Sequence, residues 1–85
     1  MSDNKLTVLV GPYRTARRYA ASMGWSDDSY AIVVKAHQLG SLDPARIGTI
    51  IAVKLQALGD RVIKEIYLEI DRLRRLWPVP LLAVA

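Results

Sequence analysis

Apolar residues follow two different rhythms along the chain. Three short stretches are apolar on both faces or β-branched at their centre: Lys5–Val10 (KLTVLV), Tyr30–Ala36 (YAIVVKA) and Ile47–Val53 (IGTIIAV). Each reads as a strand. In the first, Leu6, Val8 and Val10 point one way and Leu9 with Thr7 the other, the pattern of a strand covered on both sides in a parallel sheet. Two longer stretches instead repeat at helical spacing. In Pro12–Met23, Ala16, Tyr19, Ala20 and Met23 make one face, while Arg14, Arg17, Arg18 and Ala21 make the opposite one. In Asp60–Trp77, Val62, Ile63, Ile66, Tyr67, Ile70, Leu73 and Trp77 share an arc.

The boundaries carry their own chemistry. Gly11-Pro12 ends the first strand, and proline suits a helix start because its missing N–H would have no partner there. Gly24 supplies the positive φ that stops the first helix. Trp25–Ser29 (WSDDS) reads as a turn. His37–Arg46 reads as a connection with room for one helical turn, punctuated by Gly40 and Asp43-Pro44. Asp60 is the expected N-cap of the last helix, its charge complementing the helix dipole. Arg61–Glu65 and Asp71–Arg75 have i,i+4 spacing, which supports a helix by about 0.2–0.5 kcal/mol per pair. Pro78 and Pro80 stop that helix, leaving residues 78–85 as an apolar extended tail.

The order β-α-β-β-α predicts an α/β domain with a small, three-stranded, mostly parallel sheet flanked by two helices. A right-handed crossover joins the first two strands. The least interrupted apolar run takes the middle, giving order 2-1-3. Antiparallel pairing of the second and third strands is the alternative. Two helices cannot cover such a sheet fully, so a partner is expected to close what remains. One domain spans residues 1–85, with a polar arm at 1–4.

Composition sharpens this. At 85 residues a domain buries only about 60–65% of its unfolded surface, yet 52% of the chain is hydrophobic. The surplus excludes intrinsic disorder and predicts self-association. Cysteine is absent, so disulfides and thiolate zinc sites are excluded. The polar start Met1-Ser2-Asp3-Asn4 has no signal-peptide pattern, and no apolar run approaches the roughly 20 residues of a membrane span. A cytoplasmic protein with no membrane partner is expected. The net charge of +4 permits an acidic partner without requiring one.

Candidate chemistry is sparse. The Gly11-Pro12 junction sits where α/β folds bind phosphates, with Arg14, Arg17 and Arg18 nearby and Lys5 as a further candidate, but neither G-x-x-x-x-G-K-[ST] nor G-x-G-x-x-G is present. The same arginines offer a salt-dependent grip on nucleic acid. His37, the single histidine, ends the second strand or caps the connection, and one imidazole builds no zinc site. Asp27 and Asp28, with Glu65 or Glu69, are the only acids with a claim on Mg²⁺, and adjacent acids in a turn are ordinarily solvated. Ser26, Ser29 and Ser41 have no triad partners. No catalytic residue, metal ligand or cofactor is expected.

The apolar surplus is more informative. Leu68 and Leu76 interrupt the polar arc of the last helix around Glu65, Glu69 and Arg72, and no charge occurs from Trp77 to Ala85. Leu68, Leu76, Trp77, Leu81, Leu82 and Val84 are the candidate partner-binding residues. The competing reading folds the tail back as an extra strand or onto Trp25. An extended tail can also add to a partner's sheet edge.

Val8–Trp25 (VLVGPYRTARRYAASMGW) and Tyr30–Ile47 (YAIVVKAHQLGSLDPARI) resemble small uncharacterised α/β proteins encoded by actinobacteriophages of the mycobacteriophage type, over roughly Lys5–Val53. The resemblance implies an accessory protein made in the cytoplasm of a bacterial host and acting on a host or phage protein. It supplies no catalytic residue. The combined expectation is a non-enzymatic, self-associating interaction module, with nucleic-acid or phosphate binding through Arg14, Arg17 and Arg18 as the alternative.

Overall fold

The computed structural model describes residues 5–84. Its elements run β1 (Leu6–Val10), α1 (Tyr13–Ser22), β2 (Tyr30–Val33), α2 (Ala36–Gly40), β3 (Ile47–Val53), α3 (Asp60–Leu76) and β4 (Leu81–Val84), with 3₁₀ turns over Pro44–Arg46 and Leu55–Leu58. The sheet has four strands in the order β2-β1-β3-β4, and every pairing is parallel. The expected order 2-1-3 is contained in it. The expected count of three strands is corrected, because Leu81–Val84 joins the sheet beside β3. The antiparallel alternative does not form, since β2 and β3 both lie against β1.

The double-faced apolar runs explain the layering. Val8 and Val10 face one way with Ile50, Ala52, Val33, Ile66 and Ile70. Leu9 faces the other way with Ile51, Val53, Ala16 and Ala20. Val8, Leu9 and Val10 are completely buried, and each such side chain stabilises the fold by about 1.5–3 kcal/mol relative to an exposed one. Helices α2 and α3 cover the Val8 face, and α1 alone covers the Leu9 face.

Local details correct four expectations. The connection holds the short helix it has room for, α2, but His37 lies inside it and not at the end of β2; Gln38 Oε1 accepts from the Val34 and Lys35 N–H groups at 2.8 and 3.1 Å, ending β2 at Val33 rather than Ala36. The N-cap of α3 is Gly59, and Asp60 is already helical, with no side-chain cap. Among the described residues the single salt bridge is Arg75–Asp71 at 3.2 Å, so Arg61 and Glu65 do not pair. Met23, Tyr67 and Trp77, placed by periodicity on core faces, are exposed. Gly24 ends α1 with φ +75°, as its position predicts.

Candidate interaction surface

Strand β4 is built by its pairing and by one anchor. Pro80 lacks an N–H but accepts the Ile50 N–H at 2.9 Å, so it can open a strand. Arg74 Nε donates to the Val79 carbonyl at 2.9 Å, holding the α3–β4 connection against the helix, and Val79 is buried beneath. Leu81 then packs on the α3 side, and Val84 packs on the α1 side with the cluster that contains Trp25. The tail is therefore both core and surface.

Three of the exposed large apolar residues, Tyr67, Leu68 and Leu82, lie around β4. Beyond β4, no described strand pairs with its outer edge. Leu82 is 54% exposed on the α1 side, where the only helix stands over the other strands. On the opposite side, an open groove runs between Leu81 and α3, walled by Tyr67, Leu68, Lys64, Asp71 and Arg74. Leu68 is 65% exposed. A parallel sheet normally lies covered on both faces, so an uncovered edge with apolar residues on both sides of it is unusual for a surface.

The six expected partner-binding residues divide. Leu68, Leu81 and Leu82 gather around the β4 edge, with Val84 half-buried at the end of that strand. Leu76 lies elsewhere, in a shallow cleft between α2 and α3 with Leu39, Leu42, Pro44, Glu69 and Arg72. Trp77 stands beside Pro78, Pro80 and Lys5 at the start of the strands. The residue that the sequence reading missed is Tyr67. It had been placed in the core, but lies 47% exposed on the wall of the groove, one position before Leu68.

The basic face of α1 also forms. Arg14, Arg17 and Arg18 are all exposed, and among the described residues none is in an ion pair. Arg17 donates from Nη1 to the Tyr13 hydroxyl at 3.1 Å. That bond raises the pKa of the guanidinium, with smaller contributions from the charges of Tyr13, Tyr30 and Asp27. Lys5 does not join this stripe; it lines a separate cleft with Ser26, Asp28, Ser29 and Arg46.

At the Gly11-Pro12 junction the main chain passes close to β3. Open α/β sheets bind ligands beyond the strand carboxyl ends where chain order reverses, here between β1 and β3. The Gly11 main chain lies across that point. Its N–H donates to Val33 O at 3.1 Å, and a Cβ at Gly11 would overlap the Val53 carbonyl oxygen. Among the described residues, no three His, Cys, Asp or Glu side chains gather to hold a metal ion, and the acidic set suggested by Asp27 and Asp28 does not assemble. No described helix is long and apolar enough to cross a membrane.

Comparison with family models, with curated proteins and with solved structures finds no match to this chain.

Proposed function

We propose that the chain is a non-enzymatic protein–protein interaction module that self-associates through the β4 edge and the adjoining face of α3. One observation carries this reading: the uncovered β4 edge has exposed Leu82 on one side and the Tyr67–Leu68–Leu81 groove on the other. Edge strands that stay unpaired are ordinarily guarded by charge. The β2 edge has Asp27 and Asp28 before it and Lys35 after it, whereas residues 77–84 carry no charge at all. A role as a phage-type accessory protein in a bacterial host is supported by the resemblance over Lys5–Val53, and a host or phage protein would then be a further partner.

Sedimentation velocity over a hundredfold range of protein concentration tests the reading. A mass twice that of the chain is expected, lost in Leu82→Glu with the circular dichroism spectrum retained. A monomer at every concentration overturns it.

A second reading is favoured by the unpaired guanidinium stripe of Arg14, Arg17 and Arg18: binding to nucleic-acid phosphates. Its signature is affinity that falls steeply with salt. Binding that survives charge reversal at all three arginines removes it.

A further inference from the structure

We infer that the second copy pairs its β4 antiparallel to the first about a two-fold axis through Leu82, joining the two sheets into one. The inference rests on the self-association proposed above and specifies its geometry.

The hydrogen bonds of β4 fix which groups are free. The Pro80 and Val84 carbonyls accept from Ile50 and Lys54 of β3 at 2.9 and 3.4 Å. Main-chain groups alternate sides along a strand, so Leu82 also faces β3, and the N–H and C=O of Leu81 and Ala83 point to the open edge. An antiparallel partner is best served when these two residues meet each other. Leu81 then faces Ala83 of the other copy, the reverse pair forms by symmetry, and each pair exchanges both its N–H···O bonds. That register places Leu82 opposite its own symmetry mate in the non-hydrogen-bonded position, with Cα atoms about 4.5 Å apart. Both Leu82 side chains lie on the sparsely covered α1 side and shield one another.

Helix α3 is compatible with the same axis. Its groove-lining residues beside Leu81 are centred near Leu68–Ile70. The helix runs antiparallel to the strands, and one strand step of about 3.3 Å matches about two helix residues. Moving from Leu81 to Leu82 therefore brings the axis to Tyr67–Leu68. About that point Lys64 and Asp71 are equidistant, so two antiparallel α3 helices set Lys64 of each copy beside Asp71 of the other. Asp60 and Arg75 are related in the same way, with Arg75 and Asp71 also bridged within each helix at 3.2 Å. The remaining related pair, Arg61 and Arg74, is like-charged, but Arg74 is turned onto the Val79 carbonyl. An isologous interface requires this self-complementarity, because the same patch must serve as both partners.

The chain has no cysteine, so single-cysteine variants report the register directly. Leu82→Cys is expected to give a covalent dimer on mild oxidation, because a disulfide spans Cα separations of about 4.4–6.8 Å. Ala83→Cys is expected to remain uncrosslinked, since residues 83 lie on a diagonal of about 7–8 Å. Lys64→Asp should weaken dimerisation about tenfold, and Lys64→Asp with Asp71→Lys should restore it. Crosslinking of Ala83→Cys in preference to Leu82→Cys means a shifted register and overturns this inference while leaving edge self-association standing. A wild-type dimer in which neither variant crosslinks overturns the inference likewise. A wild-type monomer overturns the self-association reading and, with it, this geometry.

Discussion

Replacing Gly11 by alanine should be the most damaging single-methyl change in the protein. The new Cβ would sit well inside 3.0 Å of the Val53 carbonyl oxygen and 3.1 Å from the Val53 carbonyl carbon. Both obstacles are main chain, so no side-chain rotation relieves them. Relief requires the β1–α1 loop or the end of β3 to shift by about 1 Å, and overpacking of this kind costs about 1–3 kcal/mol. The shift also strains the Gly11 N–H bond to Val33 O, now 3.1 Å, at about 1 kcal/mol more. The sum, about 2–4 kcal/mol, is a large part of the roughly 4–13 kcal/mol expected for a domain of this size. With a urea m-value of about 1 kcal/mol/M, the unfolding midpoint falls by about 2–4 M. Urea titration followed by tryptophan fluorescence and far-UV circular dichroism, at one fixed protein concentration, reads this directly. Gly24→Ala is the control. Its Cβ meets nothing within 4 Å, but its φ of +75° is unfavourable for alanine, so a loss of about 1–2 kcal/mol is expected. A Gly11→Ala midpoint within experimental error of the wild type, or above that of Gly24→Ala, would refute the close approach of β1–α1 to β3.

Three further outcomes are expected. Ile66→Ala opens a cavity at a completely buried position between α3 and the sheet and should cost about 2–5 kcal/mol, measured by the same titration. Arg74→Ala removes the bond to Val79 O and should cost about 1.5–3 kcal/mol, with faster hydrogen exchange in β4 than in β1 as its local signature. Charge reversal at Arg14, Arg17 and Arg18 together should leave the sedimentation mass unchanged, because α1 lies away from the β4 edge; dissociation in that variant would count against the proposed surface.

Much of the sheet was legible because its strands are apolar on both faces. The bounds of β3 match Ile47–Val53 residue for residue, and β1 differs only by Lys5. The helices were legible from periodicity, which cannot say how far the core extends. Tyr67 has the spacing of a core residue, yet it sits at the margin where the sheet beneath runs out. Leu68 and Leu76 looked equivalent from their place among charged residues. Eight residues at about 100° each leave them about 80° apart around the helix, so one faces β4 and the other α2. Strand β4 is the competing reading of the tail, folded back as an extra strand, and the sequence did not favour it over a free tail. PVPLLAV is short, has two prolines in its first three residues and no alternation, and its partner Ile50–Val53 lies beyond a whole helix. Only tertiary pairing distinguishes such a segment from a tail. The same fact bears on a deletion of Leu81–Ala85. That deletion takes Leu81 and Val84 from the two core clusters, so it should destabilise the domain as well as disrupt association.

The all-parallel order also governs how the chain finds its fold. Every ladder joins segments separated by a helix or more: Thr7 stands opposite Tyr30 on one side and Thr49 on the other. Among the described residues no hairpin exists to nucleate the sheet locally. Loop-closure entropy must be overcome before any strand pair gains its hydrogen bonds, which places this domain among the slower folders for its length. Until β3 docks, β1 exposes an unpaired main-chain edge flanked by mostly apolar side chains, so the kinetic hazard of aggregation lies in the central strand and not at the rims of the finished sheet.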